Sequence, residues 1–448
     1  MRILIRPHQF SGTIRIPASK SHTIRRLLIA ALGEGVSEID FPLDSLDARS
    51  CAAVCRALGA GITEHRAADP SCPNPADEAG KRLVRWTVRG VGAAGGLRVP
   101  ESPLDVGNSG TTLFLALAAA ALGAGPVTFT GDEQIARRGA GPLLEALRGL
   151  GISVQSGEGG CVPITVRGPW KGGRVSLSCP TSQYLSALLL AAPLAPAGTV
   201  TEIDVPLLNE KPYIDLTLSY LKAQGVPWDG AADYSYFRIP GGGAYKPVNG
   251  PVAGDFSSAA FPGCAAAIGG LTTTLLGLDP HDPQGDKAIF DILAKMGCET
   301  AWSREGGEWR LTVSRKGPLR GGTFDLNDTP DLLPVAAVLG AYAQGETVLV
   351  NAAHARIKET DRIAVMAGEL GKLGAAVEER PDGLVINKGG GLRGGKVDGH
   401  GDHRVVMALA VAALGAAGPV EIEGAESAAV TYPAFPELMA ATIIEECG

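Results

Sequence analysis

The stretch Gly107-Asn108-Ser109-Gly110-Thr111 opens an Ala- and Leu-rich run that ends at Gly123, and the strand-like segment Val127–Thr130 follows it. The same order of polar cluster, helix-length apolar run, glycine and strand-like segment occurs six times along the chain. The other five clusters are Lys20-Ser21, Thr181-Ser182-Gln183, Asp255-Phe256-Ser257-Ser258, Asp331 and Asp402-His403-Arg404. Repetition at a near-constant interval predicts that one supersecondary unit is used six times.

A short polar cluster in front of an apolar run is typical of a helix N-terminus. The N–H groups exposed there and the helix dipole both favour negative charge. If the fold brings the six ends together, they will face one cleft suited to a polyanion. Ser21 is the expected N-cap of the first helix. Lys20 beside it opposes the dipole unless an anion lies between the two, which favours a binding site.

Strand and helix signals alternate throughout, which is typical of a mixed α/β (α+β) fold. Six units divide naturally into two domains of three, and the glycine-rich stretch 241–250 is the best linker candidate. We therefore predict one domain over residues 20–252 and a second formed by 1–19 together with 253–448. A polar insert at Asp69–Gly80 is predicted to be a surface loop.

Composition excludes several classes of protein. The 448-residue chain carries a net charge of −7, which argues against a nucleic-acid surface. Its eight cysteines are scattered, which suits a reducing compartment. The N-terminus lacks the apolar run of a signal peptide, and the longest apolar stretches, Leu113–Leu122 and Val405–Ala417, fall short of the roughly 20 residues that cross a bilayer. We expect a cytoplasmic protein with no membrane partner, in which these stretches are buried helices.

Two charged segments stand out. Arg356-Ile357-Lys358-Glu359-Thr360-Asp361-Arg362 is the first, and a solvated helix face is the usual explanation for such a run. Its place at one of the repeated strand–helix junctions favours a function instead. The second, Asp402-His403-Arg404, opens a wholly apolar helix, where ionisable residues are seldom left without a role. Lys211-Pro212-Tyr213 could be only a turn. No phosphate loop, zinc-protease or nucleophile-elbow motif occurs.

These segments occur in an order and spacing that resemble the 5-enolpyruvylshikimate-3-phosphate synthase family, from about Ile14 to Phe435. The resemblance implies two domains, each of three βαβαββ units, in an inverse α/β barrel whose helix N-termini face the interdomain cleft. It implies transfer of the enolpyruvyl group from phosphoenolpyruvate to the 5-hydroxyl of shikimate 3-phosphate, a step of chorismate and aromatic amino-acid biosynthesis. No metal and no organic cofactor is implied, and we expect a monomer that binds only these small molecules.

The resemblance also implies roles for single residues. Asp331 would accept the 5-hydroxyl proton, Glu359 would give a proton to the methylene carbon, and Lys20 completes the catalytic set. Because addition across the enol ether needs both a base and an acid, two carboxylates in different surroundings suit the reaction. The residues implied to contact phosphoenolpyruvate are Lys20, Gly110, Arg138, Gln183, Arg362 and Arg404. Those implied to contact shikimate 3-phosphate are Ser21, Arg25, Thr181, Ser182, Gln183, Tyr213, Asp331, His354 and Lys358.

The chain departs from the family pattern at several positions. Phe114 and Gln134 stand where the family commonly has arginines, Gly139 replaces a proline, Val430 a lysine, His354 an asparagine and Glu210 a serine. His354 is expected to keep the donor role. A carboxylate at 210 would repel the 3-phosphate. We therefore expect Glu210 to point out of the site or to pair with a cation, so that Glu210→Ser tightens acceptor binding only slightly.

Three other functions compete with this interpretation. Enolpyruvyl transfer to UDP-N-acetylglucosamine uses the same fold, but those enzymes carry a cysteine where this chain has Glu133. RNA 3′-phosphate cyclases share related units, but the acidic balance disfavours them. A non-catalytic metabolite-binding relative would not be expected to retain the charged set Lys20, Asp331, Glu359, Arg362 and Arg404.

Overall fold

The computed structural model describes residues 1–68, 81–92, 96–387 and 390–445, so the loop predicted at Asp69–Gly80 lies outside the described residues. The chain forms two compact units. Unit 1 comprises Met1–Pro17 and Ala253–Gly448, and unit 2 comprises Ala18–Val252. Each unit has its own buried apolar core.

Secondary structure begins with two strands of unit 1, β1 (Arg2–Ile5) and β2 (Gly12–Arg15). The strands of unit 2 are β3 (Val36–Asp40), β4 (Gly61–Ala68), β5 (Lys81–Arg89), β6 (Leu104–Asp105), β7 (Val127–Thr130), β8 (Ser153–Gln155), β9 (Ile164–Arg167), β10 (Gly173–Ser176), β11 (Val200–Asp204), β12 (Asp229–Gly230), β13 (Tyr236–Pro240) and β14 (Gly250–Pro251). Its helices are α1 (Lys20–Leu32), α2 (Leu46–Ala57), α3 (Gly110–Ala120), α4 (Gly141–Gly149), α5 (Gln183–Ala191) and α6 (Lys211–Gln224).

The remaining elements belong to unit 1. Its strands are β15 (Thr273–Leu276), β16 (Cys298–Glu305), β17 (Glu308–Arg315), β18 (Thr323–Asp325), β19 (Thr347–Val350), β20 (Ala376–Arg380), β21 (Gly383–Asn387), β22 (Gly395–Asp398), β23 (Val420–Glu423) and β24 (Thr442–Glu445). Its helices are α7 (Phe256–Gly269), α8 (Ala288–Lys295), α9 (Leu333–Tyr342), α10 (Arg362–Lys372), α11 (His403–Leu414) and α12 (Phe435–Leu438).

Within the described residues, the strands form six four-stranded sheets with one pairing pattern. The orders are β14-β3-β5-β4, β6-β7-β9-β8 and β10-β11-β13-β12 in unit 2, and β2-β15-β17-β16, β18-β19-β21-β20 and β22-β23-β1-β24 in unit 1. In every sheet the first two strands are parallel and the other two pairings are antiparallel. The predicted sixfold use of one unit is confirmed.

One helix of each repeat is almost entirely buried, because its sequence has no polar face to turn outward. In α11 every residue is buried, and in α3 every residue except Thr111 is buried. In unit 1, α7, α9 and α11 pack against one another. As predicted, Leu113–Leu122 is buried and Val405–Leu414 lies in a buried helix. The second predicted stretch is too long, because α11 ends at Leu414 and both Gly415 and Ala417 are exposed. Within the residues that the structure describes, no helix is long and apolar enough to cross a membrane.

The polar clusters lie at helix N-termini, as predicted. Helices α1, α3, α5, α7 and α11 begin within them, while Asp331 lies in a 3-10 turn directly before α9. The prediction that Ser21 caps α1 is wrong by two residues. Ser19 is the cap, since its extended backbone (φ −67°, ψ 127°) lets its Oγ accept the His22 N–H at 3.5 Å. Ser21 lies in the first turn, where its side chain is not used as the cap.

Candidate active site

Arg362, the first residue of α10, is the centre of a charged cluster in unit 1. Its side chain is 1% exposed, and its guanidinium donates to three carboxylates. Nη1 lies 2.6 Å from Asp331 Oδ1, Nη2 lies 2.6 Å from Glu359 Oε2, and Nε lies 2.7 Å from Asp402 Oδ2. Burial opposes the charge, but these carboxylates raise the pKa of Arg362 well above its usual value. The structure therefore brings both predicted catalytic carboxylates onto one cation.

Asp331 is held by more than one cation. Its Oδ2 lies 3.0 Å from Arg404 Nη2, and its Oδ1 lies 4.0 Å from Lys358 Nζ in addition to the contact with Arg362. Burial would raise the pKa of Asp331, but Arg404, Lys358 and Arg362 together hold it well below the usual range of a carboxyl group. In this arrangement Asp331 is a fully ionised but weak base.

Asp402 is a part of this cluster to which the sequence analysis assigned no role. It is fully buried, caps α11 by accepting the Arg404 N–H at 2.8 Å, and receives both Nε and Nη2 of Arg362. One carboxylate thus fixes the start of α11 and the orientation of the Arg362 guanidinium. The position of Asp402 in the Asp-His-Arg segment was the only signal in the sequence.

His354 and Lys358 lie on the segment that leads into this cluster. His354 is buried in the short 3-10 helix Ala353–Ile357, which contacts the 3-10 turn containing Asp331. Lys358 ends that helix and reaches the Asp331 carboxylate. The structure therefore places Lys358 beside the predicted base, and His354 on a segment that contacts the turn containing that base.

Asp286 is a second buried carboxyl group near the cluster, and the sequence analysis missed it. It is 2% exposed and accepts a hydrogen bond from Ser257 in the first turn of α7. Burial first and the negative charges of Asp331 and Asp255 next raise the pKa of Asp286 to about 7, although Arg404 and Ser257 act in the opposite direction. Asp286 is thus protonated in much of the neutral range.

This shift predicts a pH dependence of stability. Between about pH 4 and pH 7 the folded chain keeps a proton on Asp286 that the unfolded chain has released, so stability falls as the pH rises through that window. In urea titrations, the free energy of unfolding of Asp286→Asn should rise relative to that of the unsubstituted chain as the pH increases. Between about pH 5 and about pH 8 the relative change should be roughly 2–3 kcal/mol. Asp291→Asn, an exposed change on α8, is the control. Equal pH slopes for all three chains would show that Asp286 is ionised in the fold throughout.

In unit 2 the dipole-opposing Lys20 has a carboxylate partner. Its Nζ lies 3.0 Å from Asp47 Oδ2, and the two side chains are 14% and 5% exposed. Asp47 lies in the first turn of α2, and sequence reasoning had no signal for it beyond the ordinary preference for acids at that position. The pair fixes Lys20 at the start of α1.

Arg25 is a buried cation with neutral partners. It is 2% exposed, and its guanidinium donates to Thr217 Oγ1 at 3.0 Å, Ser186 Oγ at 3.2 Å, and the Ser21 and Tyr213 carbonyls at 3.2 and 3.5 Å. Burial lowers the pKa of Arg25 to about 10. A guanidinium that is oriented by hydroxyl and carbonyl oxygens, and is not neutralised by a carboxylate, is suited to bind an anion.

Glu210 does not lie where the sequence analysis expected it. Its carboxylate is 1% exposed and does not point away from Thr181 and Ser182. Glu210 Oε2 accepts hydrogen bonds from Thr181 Oγ1 at 3.1 Å, from Ser182 N–H at 3.0 Å and from Ser182 Oγ at 2.8 Å. The reason is the backbone, because Glu210 has a left-handed conformation (φ 59°) that turns its side chain toward α5. The alternative that Glu210 points out of the site is therefore wrong, whereas its pairing with a cation stays a prediction. The slight effect expected of Glu210→Ser does not follow from this geometry.

Three residues predicted to contact phosphoenolpyruvate lie close together: Gly110, Arg138 and Gln183. A methyl group at Gly110 would lie 2.9 Å from Arg138 Nη1 and 3.6 Å from Gln183 Oε1. The guanidinium therefore lies against the start of α3, and a side chain at position 110 would require it to move.

The residues at which the chain departs from the family pattern have partners or are buried within their own unit. Phe114 is buried edge-on against Tyr184 at 5.0 Å, and the Tyr184 hydroxyl donates to the Gly139 carbonyl at 2.7 Å. Gln134 accepts a hydrogen bond from Asn108. Val430 is buried in the 3-10 helix Ala425–Val430. Phe114 supplies an apolar contact where the family commonly has a cation.

Comparison with known proteins identifies what the whole chain is similar to. A family model described as EPSP synthase (3-phosphoshikimate 1-carboxyvinyltransferase) matches residues 5–439. A 3-phosphoshikimate 1-carboxyvinyltransferase from Acetivibrio thermocellus is 46% identical, with 100% of this chain and 98% of that protein covered. A protein of the same name from Halobacterium salinarum is 42% identical, with 98% of each chain covered.

Solved structures give the same result. EPSP synthase from Acinetobacter baumannii matches with a TM-score of 0.78 and 29% identity, covering 98% of this chain and 97% of that one. The enolpyruvyl transferase NikO from Streptomyces tendae, with a TM-score of 0.74 and 19% identity, shares the fold.

Proposed function

The chain belongs to the EPSP synthase family, and on that premise we propose which residues carry out its reaction. The reaction transfers the enolpyruvyl group of phosphoenolpyruvate to the 5-hydroxyl of shikimate 3-phosphate and releases phosphate, in aromatic amino-acid biosynthesis. The observation that carries the assignment of roles is the Arg362 guanidinium, which binds Asp331 and Glu359 together. One cation thereby fixes the distance between a base and an acid.

In the addition step Asp331 accepts the proton of the 5-hydroxyl while the oxygen bonds to C2 of phosphoenolpyruvate. In the substrate complex Glu359 carries a proton and gives it to C3, so the methylene becomes a methyl group, Glu359 is left as a carboxylate and a tetrahedral intermediate forms. In the elimination step Glu359 takes a proton back from that methyl group, the C2–O bond to phosphate breaks, and the proton held by Asp331 leaves with the phosphate. General acid and base catalysis by positioned carboxyl groups contributes about 10²–10⁴-fold to such steps.

The contacts of Asp331 suggest how its basicity is controlled. Arg362 and Arg404, which hold its carboxylate, are also the residues assigned to phosphoenolpyruvate. When the anionic groups of phosphoenolpyruvate take these guanidinium groups, Asp331 loses two cationic partners and its pKa rises toward that of a useful base. Binding of phosphoenolpyruvate thus prepares the base for the 5-hydroxyl of the acceptor.

The other assignments follow the local chemistry. Arg25, oriented by neutral oxygens, supplies a cation for the acceptor, together with Lys358. The other contacts come from the imidazole of His354 and from the hydroxyl or amide groups of Ser21, Thr181, Ser182, Gln183 and Tyr213. Lys20, Gly110, Arg138 and Gln183 complete the contacts of phosphoenolpyruvate. All these residues come from one chain, and we propose that it acts as a monomer.

The function is tested by release of inorganic phosphate from phosphoenolpyruvate by the purified chain. With shikimate 3-phosphate as acceptor, release should be saturable and equal to the enolpyruvyl product formed. With UDP-N-acetylglucosamine it should stay at the rate seen without an acceptor. Release with the nucleotide sugar alone would assign the chain to the other acceptor, and release with neither would favour a binding protein.

A further inference from the structure

The carboxylate of Glu210 lies where an anionic ligand is expected. Three donors converge on the single atom Oε2: the Thr181 hydroxyl, the Ser182 hydroxyl and the Ser182 N–H in front of α5. Backbone N–H groups and hydroxyls at the beginning of a helix are the groups that bind a phosphate oxygen. The side chain is 1% exposed, so the donors and the carboxylate are both withdrawn from solvent.

The backbone of Glu210 is consistent with a position held by these bonds. Its φ of 59° lies in the left-handed region, which is strained for a residue other than glycine. The next residue, Lys211, begins α6, so the strained residue is also the entry into that helix. A change at Oε2 can thus be transmitted to the α6 terminus that carries Tyr213.

We propose that Glu210 is an internal occupant of the acceptor's phosphate pocket and determines how strongly this chain binds that phosphate. The inference rests on the proposed function, in which Thr181 and Ser182 hold the 3-phosphate. Shikimate 3-phosphate enters by displacing the Glu210 carboxylate, whose three hydrogen bonds pass to phosphate oxygens. The affinity for the acceptor is therefore lower than the same donors would give with a small neutral residue at position 210.

Arg25 explains why the pocket still favours phosphate over a carboxylate. Its guanidinium donates to Ser186, on the same helix that Ser182 precedes, and to the carbonyl of Tyr213, which follows Glu210 by three residues. A phosphate presents three oxygens and two negative charges, whereas Oε2 is a single atom of a singly charged group. The phosphate can bind the Arg25 guanidinium and the hydroxyls of Thr181 and Ser182 at the same time, whereas Glu210 Oε2 binds the donors of Thr181 and Ser182. The additional contacts with Arg25 make displacement of the Glu210 carboxylate by the phosphate favourable.

The test is equilibrium binding of shikimate 3-phosphate and of shikimate, which lacks the phosphate, to the full chain, Glu210→Ser and Glu210→Gln. Glu210→Ser should lower the Kd of shikimate 3-phosphate at least tenfold and change the Kd of shikimate less than twofold. Glu210→Gln keeps an oxygen acceptor but has no charge, so its Kd for shikimate 3-phosphate should lie between those of the unsubstituted chain and Glu210→Ser. Glu145→Gln, an exposed neutralisation on α4 of the same unit, is the matched control and should change neither Kd.

Each outcome has a distinct meaning. An unchanged or higher Kd of shikimate 3-phosphate in both folded variants would overturn the proposal and make Glu210 a structural anchor of α6. Equal tightening for shikimate and its phosphate would also overturn it, since the effect would not come from the phosphate. Failure of the unsubstituted chain to bind or turn over shikimate 3-phosphate would instead refute the proposed function. If Glu210→Ser does not fold, the proposal is still tested by comparing the Kd of shikimate 3-phosphate in Glu210→Gln with that in Glu145→Gln.

Discussion

Asp331→Asn is expected to turn over at least about 10²-fold more slowly than the unsubstituted chain, because the amide cannot accept the 5-hydroxyl proton. The amide keeps the shape of the carboxylate beside Arg404 and Lys358. Binding of shikimate 3-phosphate should therefore remain largely intact. The measurement is the steady-state rate of phosphate release, together with the Kd of the acceptor.

Asp291→Asn, on the surface of α8 in the same unit, is the matched control and should keep the full rate. If Asp331→Asn retained more than about a tenth of the normal rate at saturating substrates, Asp331 would not be the base. A loss that appeared only as weaker acceptor binding would make it a ligand of the acceptor alone.

Arg362→Met is expected to destabilise the fold by roughly 3–5 kcal/mol and to abolish activity. The substitution leaves Asp402, which is fully buried, without the cation that its carboxylate binds, and leaves Asp331 and Glu359 with one cation fewer. Breaking a buried ion pair from one side has this large cost because the remaining charge stays desolvated. Urea unfolding of unit 1, followed by the fluorescence of Trp302 and Trp309 in that unit, measures the loss.

Two further variants test whether the loss of stability comes from the buried charge that Arg362→Met leaves unpaired. Arg15→Gln removes an exposed ion pair with Glu308 and should change the unfolding free energy little. Asp402→Asn in the Arg362→Met background should recover part of the lost stability, since it removes the unpaired charge. If Arg362→Met alone were as stable as the unsubstituted chain, the ion pairs of Arg362 would make no net contribution to the free energy of unfolding.

The repeated pattern of the sequence was sufficient to predict the elements of the fold. A polar cluster, an apolar helix, a glycine and a strand are local signals, and α3 and α11 lie where those signals place them. The charged groups of the site were predicted from the same junctions together with the family resemblance.

The partners of those groups could not be predicted from the sequence. Asp47, Asp286 and Asp402 act through contacts with Lys20, Ser257 and Arg362 that are distant along the chain. A carboxylate near a helix start is common, and nothing local tells a cap from a charge partner. Glu210 was placed wrongly because the direction of its side chain depends on a left-handed backbone that its residue type disfavours.

The pairing of β1 has a consequence for the order in which the chain can fold during synthesis. Residues Arg2–Ile5 pair with Val420–Glu423 and Thr442–Glu445, whereas every sheet of unit 2 uses only residues between 36 and 251. At about 5–20 residues per second, the ribosome makes β23 roughly 20–80 s after β1. Unit 2 can complete its sheets while unit 1 is still being translated. β1 is therefore among the last strands to be paired, although it is made before the other strands of unit 1, and its backbone must stay free of other edges until β23 and β24 emerge.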